Sequence, residues 1–493
     1  METLHWLFQG FVVAVAPVNL LMLIGGITVG MVVGAIPGIS AANGIALLLP
    51  VTHAFGVSAQ AAVILFAGVY YGAKYSGRIS AILAEIPGDV SAYATTFEGF
   101  PLALKGQAGK ALILTAVSSF TGTLAAVILL IIIGRYFANI GNYFGPPEYA
   151  VLIAFVFVLV LLLSSTRFIK NLVSLCLGLM MSVVGVDWAT GVFRYTSSMP
   201  ELFDGIDFII AIIGIFAISE MLILLEKGLT KKDIVTIEER VGNILPECWR
   251  LKYAYLRASL VGALIGLLPG SGTYVANFAA YRLEKKIGGS DFGAGNLRGL
   301  IAPEAANSAC AIGSFIPLLA LGIPGSATTA VIHGALHHLN IDAGPMLCIS
   351  QPKLIWALIA SMFIGNMLLL IANTQLIRTF PKLLAVPGWV LIPMILVVAF
   401  VSVYAVNQSM ISLVLMVVIG FFAYGLRKFN FPLAPLVLGY VLGTPFENNL
   451  RIALAIGSGS IAVFFQHTVS WLIWLGVVLV IAGKLVVQLK KQP

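Results

Sequence analysis

The stretch Gly30-Met-Val-Val-Gly-Ala-Ile-Pro-Gly-Ile-Ser40 decides how this chain is read. A long apolar run stops at Pro37-Gly38, and the same construction returns as Gly262-Ala-Leu-Ile-Gly-Leu-Leu-Pro-Gly-Ser271. Each copy is followed by a second break, Ile86-Pro-Gly-Asp-Val-Ser91 in the first and Ile323-Pro-Gly-Ser-Ala-Thr328 in the second. The breaks lie 50 residues apart in the first copy (37 to 87) and 55 in the second (269 to 324). The copies are offset by 232 residues at the first break (37 to 269) and 237 at the second (87 to 324). Apolar segments broken by Gly and Pro at corresponding places in two halves imply a secondary transporter, and the breaks point to its binding site.

Composition agrees. The 493 residues are 60% hydrophobic and 10% charged, with a mean hydropathy of +1.02, where a soluble chain would be roughly 25% charged. Stretches such as Phe11–Ile36, Ala111–Gly134, Tyr149–Leu163, Ile355–Leu376, Val390–Ala405 and Val469–Gly483 approach or exceed the ~20 apolar residues that cross a bilayer. The expected fold is an all-α polytopic membrane protein of roughly 11–14 membrane segments. Ile39–Pro50 and Thr273–Tyr281 are too short to cross alone, and Glu85–Gly109 reads as a polar, loop-like stretch between membrane helices. Such backbone is tolerated at depth only where protein buries it or water lines it.

Charge divides the chain. The run Glu226–Arg257 separates the two copies and reads as a cytoplasmic connector. The expected organisation is a first membrane repeat over 1–226, a connector over 227–254 and a second repeat over 255–493. The C-terminal Lys484, Lys490 and Lys491 also read as cytoplasmic, while the first basic residue of the chain is Lys74. There is thus no basic segment of a signal peptide, and Phe11 onward reads as a retained helix with an external start. One copy then begins outside and the other inside, which favours an inverted-topology repeat. The net charge of +8 does not imply nucleic acid, because the basic residues sit in short loops beside apolar segments. Cys176, Cys248, Cys310 and Cys348 have neither disulfide-framework nor metal-ligand spacing.

The breaks have a chemistry of their own. Proline ends the helical hydrogen-bond ladder, glycine permits the dihedrals of the gap, and a hydroxyl residue just beyond can cap the restarting helix. A restarted helix turns free N–H groups and its positive dipole end toward the gap, which suits a carboxylate. Carbonyls freed at the other half-helix suit a sodium ion. The candidate substrate-binding residues are Pro37, Gly38, Ser40, Asn43, Gly88, Ser91, Pro269, Gly270, Ser271, Thr273, Gly325, Ser326, Thr328 and Thr329. The Gly30–Gly34 and Gly262–Gly266 pairs read as close-packing surfaces.

Four polar residues stand apart. Lys74 and Arg78 share a helix face ahead of Glu85. They either guide an anion or pair with Glu85 or a partner subunit. Glu304 and Asn307 share a face in Ala-Pro-Glu-Ala-Ala-Asn, where they serve cation coupling or a structural hydrogen bond. His333, His337 and His338 lack an evident third ligand, so no metal or other cofactor is expected beyond a coupling cation. Nucleotide-binding and hydrolase motifs are missing, and the chain does not read as an enzyme.

At these residues the chain resembles the large membrane subunit of the tripartite tricarboxylate transporter family (TctA-type). The resemblance is carried by G-A-I-P-G-I-S (34–40), Y-Y-G-A-K-Y-S-G (70–77), I-P-G-D-V-S-A (86–92), F-E-G-F-P-L-A-L-K-G-Q-A-G (97–109), M-P-E-L-F-D-G-I (199–206) and I-F-A-I-S-E (215–220). In the second half it is carried by G-L-L-P-G-S-G (266–272), A-P-E-A-A-N (302–307), L-G-I-P-G-S-A-T-T-A (321–330) and F-P-L-A-P-L-V-L-G-Y-V-L-G (431–443), followed by Glu447. It implies a carrier of the bacterial inner membrane that works with a small membrane subunit and a periplasmic solute-binding protein. It further implies uptake of carboxylates such as citrate, driven by a sodium or proton gradient, and an elevator-like movement. The family typically carries small or uncharged residues where Lys74, Arg78 and Glu85 stand. The alternative function is a channel or an assembly scaffold without a coupled transport cycle.

Overall fold

The computed structural model describes residues 2–36, 38–134, 136, 143–163, 167–227, 235, 237, 244–270, 272–289, 291–376, 379, 381 and 388–489. Pro37, Ser271 and most of the charged connector lie outside the described residues. Seven of the described helices are long and apolar enough to cross a membrane alone, among them Ala108–Gly134, Pro146–Leu163 and Pro352–Gln375. Shorter apolar helices such as Ala41–Ala54 and Phe168–Ser182 accompany them. The chain is an all-α polytopic membrane protein. Its described strands are two residues each, Gly185–Val186 paired with Phe193–Arg194.

Two sequence expectations need correction. The run Phe11–Ile36 is divided between helices Glu2–Ala14 and Pro17–Ala35, with Pro17 opening the second. Proline at a first helical position has no N–H to waste and is pre-set for the helix, so the apolar run restarts there. The stretch Glu85–Gly109 holds a helix, Tyr93–Leu104, behind a short turn at Val90–Ala92. Its Thr95 and Glu98 are fully buried and bonded to other elements, which lets a polar sequence remain helical inside the protein.

The helix Ala59–Ala84 forms the centre of the molecule. Ser58 caps its start by accepting from the Ala61 N–H at 3.4 Å, and every residue from Ala61 to Ala84 is buried. It carries Lys74 and Arg78, so its burial rests on surrounding protein rather than on apolar composition.

Glycine sets how its neighbours approach. A Cβ added at Gly30 would lie 2.3 Å from the Val69 carbonyl oxygen, and one at Gly34 would lie 2.3 Å from that of Ala73. The contacts advance together, so Pro17–Ala35 and Ala59–Ala84 run parallel. Helix Ala41–Ala54 therefore turns the chain back between them, making a helix–break–helix hairpin. In the second half, Cβ atoms at Gly262 and Gly266 would lie 2.3 Å and 2.7 Å from the carbonyl oxygens of Ala306 and Cys310. Lys252–Gly266 thus runs parallel to Leu297–Gly313, and Gly272–Gly288 is the returning arm. Both glycine pairs pack backbone on backbone, as their spacing predicts.

Helix Phe208–Ile212 passes through a π-helical stretch, Ile213–Ile218, before continuing as Ser219–Lys227. Such stretches leave carbonyls off the α-helical ladder, and here the Phe216 carbonyl accepts from Asn43 Nδ2 at 3.2 Å. Away from this core, the loop strands dock on helix Leu433–Ile456. Arg451 donates to both carboxylate oxygens of Asp187 at 2.9 and 3.1 Å and to Glu447 at 2.6 Å, while Arg194 reaches Glu447 at 2.8 Å.

Candidate functional site

The described parts of all four breaks converge. Ser40, Ser91, Thr273, Ser326 and Thr328 border one cavity of about 290 Å³, with Tyr70, Val160, Phe216 and Leu438 supplying apolar wall. That is close to the lower end for small-molecule sites.

The breaks are locked in pairs by the same bond in each half. The Gly38 N–H donates to the Gly88 carbonyl at 3.3 Å, and the Gly270 N–H donates to the Gly325 carbonyl at 3.0 Å. Gly38 and Gly270 have φ of 92° and 76°, which favour glycine. The Gly88 N–H returns to the Gly77 carbonyl at 3.2 Å, so the chain doubles back beside the helix it has just left. A side chain at Gly88 would meet the Gly34 carbonyl oxygen at 2.3 Å.

The hydroxyls play unequal parts. Ser326 caps helix Ala327–His338: its Oγ accepts from the Thr329 N–H at 3.2 Å, and the Ser326 N–H donates to Thr329 Oγ1 at 2.8 Å. Ser40 precedes helix Ala41–Ala54 without a side-chain cap. Its hydroxyl instead donates to Asn43 Oδ1 at 2.6 Å, placing Asn43 behind the cavity wall. Pro269 is buried behind the tip.

Each restarted helix is paired with one from the other half. Helices Ala41–Ala54 and Ala327–His338 both leave the cavity and end together, with the His53 and His338 rings 5.1 Å apart. Gly272–Gly288 and Tyr93–Leu104 do the same, joined by Asn277 Nδ2 to the Ser91 carbonyl and by the Tyr281 hydroxyl to Glu98 at 2.9 Å. The first pair heads for the start of Ala59–Ala84, to which only residues 55–58 connect it. The second heads for its end, where Gly99 meets Ile82. Helix N-termini therefore face the cavity from two opposite directions, each turning a positive dipole end toward it.

Among the described cavity-lining residues, charge comes from Lys74 and Asp89. Lys74, 7% exposed, forms an ion pair with Asp89. Its ammonium also donates to Ser91 and Thr273, each at 3.2 Å. Ser91 donates in turn to Asp89 Oδ2 at 3.2 Å. Glu85 is not the partner of Lys74. It caps the helix end in a left-handed conformation at φ 56° and is exposed, about 16 Å up the helix from Lys74 at 1.5 Å per residue. The doubling back at Gly88 is what brings Asp89 beside Lys74. Asp89 was missed by the sequence reading, although it stands inside a break and is the acid nearest Lys74 once the chain reverses.

Arg78 lies one turn further on, outside the cavity. It is 1% exposed and donates to Ser119 and to Asn373, each at 3.0 Å. Its guanidinium sits 5.4 Å from the Tyr75 ring centre. Glu304 is fully buried and accepts from Thr95, linking the two halves. Glu304 Oε2 and Asn307 Oδ1 are buried without a hydrogen-bond partner, and neither residue borders the cavity. His333, His337 and His338 line a separate cavity of about 410 Å³ with Asp204, Asp207 and Tyr440.

Comparison with known proteins finds relatives over most of the chain. The chain is 37% identical over 475 residues, 95% of its length and 94% of the relative's, to an uncharacterized 52.8 kDa protein in the TAR-I ttuC' 3'region of Agrobacterium vitis. It is 41% identical over 227 residues, 45% of its length and 94% of the relative's, to an uncharacterized protein in the TAR-II ttuC' 3'region of the same organism. No solved structure matches. The family model described as tripartite tricarboxylate transporter TctA matches residues 20–438, and the chain belongs to that family.

Proposed function

We propose that this chain is the large permease subunit of a binding-protein-dependent secondary transporter that takes up carboxylates by cation symport. The observation that carries the reading is the convergence of four helix restarts on one small polar cavity. Backbone N–H groups, dipole ends, hydroxyls and the Lys74 ammonium make that cavity fit for a carboxylate. The substrate is a small carboxylic acid of the dicarboxylate or citrate-like class, bound near mid-membrane.

The two halves act as inverted repeats, 1–226 and 255–493, joined by the charged connector. The recurring Gly38–Gly88 and Gly270–Gly325 bonds and the crosswise pairing of restarted helices support this. Between the repeats the core moves as an elevator, with the hairpins closing the cavity on either side. In the bacterial inner membrane the subunit works with a small membrane subunit and a periplasmic binding protein. Glu304 and Asn307, buried at the junction of the halves with unsatisfied oxygens, are candidates for a cation-linked role.

The test is uptake into proteoliposomes holding this chain, its small partner and its binding protein, with a panel of mono-, di- and tricarboxylates. Saturable, gradient-driven accumulation of one acid is expected. Non-saturating flux that ignores the cation gradient would refute a carrier and favour a channel.

A further inference from the structure

The Lys74–Asp89 pair raises a question that the breaks do not. A carboxylate entering this cavity meets one ammonium, and an internal carboxylate already holds it. Lys74 and Asp89 are the two charged residues among the described cavity-lining residues. The geometry points to an exchange: the substrate carboxylate takes the Lys74 ammonium from Asp89, and Asp89 takes up a proton, so that one proton travels with each anion. This rests on the carboxylate reading above and names the coupling ion and the residue that carries it.

The balance closes. In the free site, Lys74 and Asp89 sum to zero charge. Bringing in one substrate carboxylate beside them would leave a surplus negative charge in a cavity walled by Tyr70, Phe216 and Leu438, and a surplus buried charge is relieved by binding a proton. One proton passes from water to Asp89 as the substrate carboxylate replaces Asp89 on Lys74. On release the carboxylate leaves, Asp89 gives back the proton and re-forms its bond to Lys74. The pair begins and ends neutral, and in the loaded site Lys74 cancels the carboxylate it has taken, while any further carboxylate of the substrate faces the positive ends of the restarted helices.

The surroundings permit this. The side chain of Asp89 is 23% exposed, whereas that of Lys74 is 7% exposed, so water and protons have a route to the acid. The side-chain bonds from Lys74 and Ser91 both arrive at Oδ2. Ser91 and Thr273 also hold the ammonium, each at 3.2 Å, and keep it in place while its anionic partner changes. The other titratable groups toward the pair are Tyr70 on the central helix, Tyr274 on Gly272–Gly288, and Cys310 on Leu297–Gly313, none of them a carboxylate. Glu304 interacts electrostatically with Arg78 and, after it, with Lys74, but it is fully buried and does not border the cavity. Asp89 is therefore the acid that faces the incoming anion.

The full-length protein in nanodiscs, in sodium-free choline buffer, tests the exchange with citrate and succinate as probes. Weakly buffered solution with a pH-indicator dye should report about one proton taken up per bound acid. Affinity should fall about tenfold per pH unit where Asp89 is charged in the free site and protonated in the bound one, as reciprocal linkage requires. Asp89→Asn should bind with no proton uptake and a flat pH profile, and Lys74→Met should lose affinity at least tenfold. Binding without proton uptake, or a repeat titration with added sodium in which affinity rises in wild type but not in Asp89→Asn, would overturn the exchange while leaving the carboxylate reading intact. Failure of both acids to bind would overturn both. The wild-type proton count needs no variant, so misfolding of Asp89→Asn does not spare the idea.

Discussion

The close approach at Gly30 and Gly262 makes a quantitative prediction that also probes the likeness of the two halves. Gly30→Ala and Gly262→Ala each place a Cβ 2.3 Å from a carbonyl oxygen, of Val69 and Ala306 respectively. Ordinary contact begins near 3.4 Å, so each pair of helices must part by roughly 1 Å. Overpacking of this kind costs ~1–3 kcal/mol, and the obstacle here is backbone, which has no rotamer to change. Each variant should lower the melting midpoint of the purified protein in detergent by about 1–3 °C. Gly25→Ala is the control: its Cβ would meet only Leu65 Cδ1 at 4.0 Å, and its midpoint should stay within about 0.5 °C of wild type. Size-exclusion chromatography with fluorescence detection after graded heating reads all three. Wild-type melting of Gly30→Ala would refute the packing argument. A large drop for Gly30→Ala with none for Gly262→Ala would break the equivalence of the halves.

Other predictions concern separate parts of the molecule. Ser326→Ala with Thr328→Ala removes a reciprocal cap worth ~1 kcal/mol and two cavity hydroxyls, and should raise the KM for carboxylate uptake about tenfold with assembly intact; an unchanged KM would move the substrate elsewhere. Glu98 accepts from Tyr281 and from the N–H groups of Gly293, Gly295 and Asn296 at 2.6–2.9 Å. Glu98→Gln turns a donor toward donors and should cost roughly 2–4 kcal/mol, seen as faster chymotrypsin cleavage after Phe292; equal cleavage rates would count against that anchor. The bidentate bond from Arg451 holds the carboxyl of Asp187, in the loop outside the helices, down to about 2. A depressed carboxylate stabilises the docked loop above its ordinary value near 4, and that contribution is lost as pH falls from about 4 to 2. Trp188, whose indole N–H donates to Asn448 at 2.6 Å, should report undocking by fluorescence in that window, and a signal unchanged to pH 2 would contradict it.

The sequence by itself determined the membrane class, the doubled breaks and the close-packing glycines. These are local properties: apolar length, proline's missing donor and glycine's missing side chain act wherever they stand. It also marked Ser326 and Thr328 as cavity hydroxyls, because a cap must follow its break. Tertiary structure decided what surrounds the central helix. Lys74 and Arg78 are one turn apart, yet Lys74 meets the cavity while Arg78 is enclosed by Ser119 and Asn373 from distant helices. Which neighbour fills each side of a helix buried along its whole length is not encoded in its own spacing. Tertiary structure also chose Asp89 over Glu85. Along a helix, Glu85 is the acid that follows Arg78, but the reversal closed by the Gly88–Gly77 bond carries the chain back past it. That bond joins residues 11 apart across a turn held by the packing of Gly88 against Gly34 and by the Gly38 N–H on the Gly88 carbonyl.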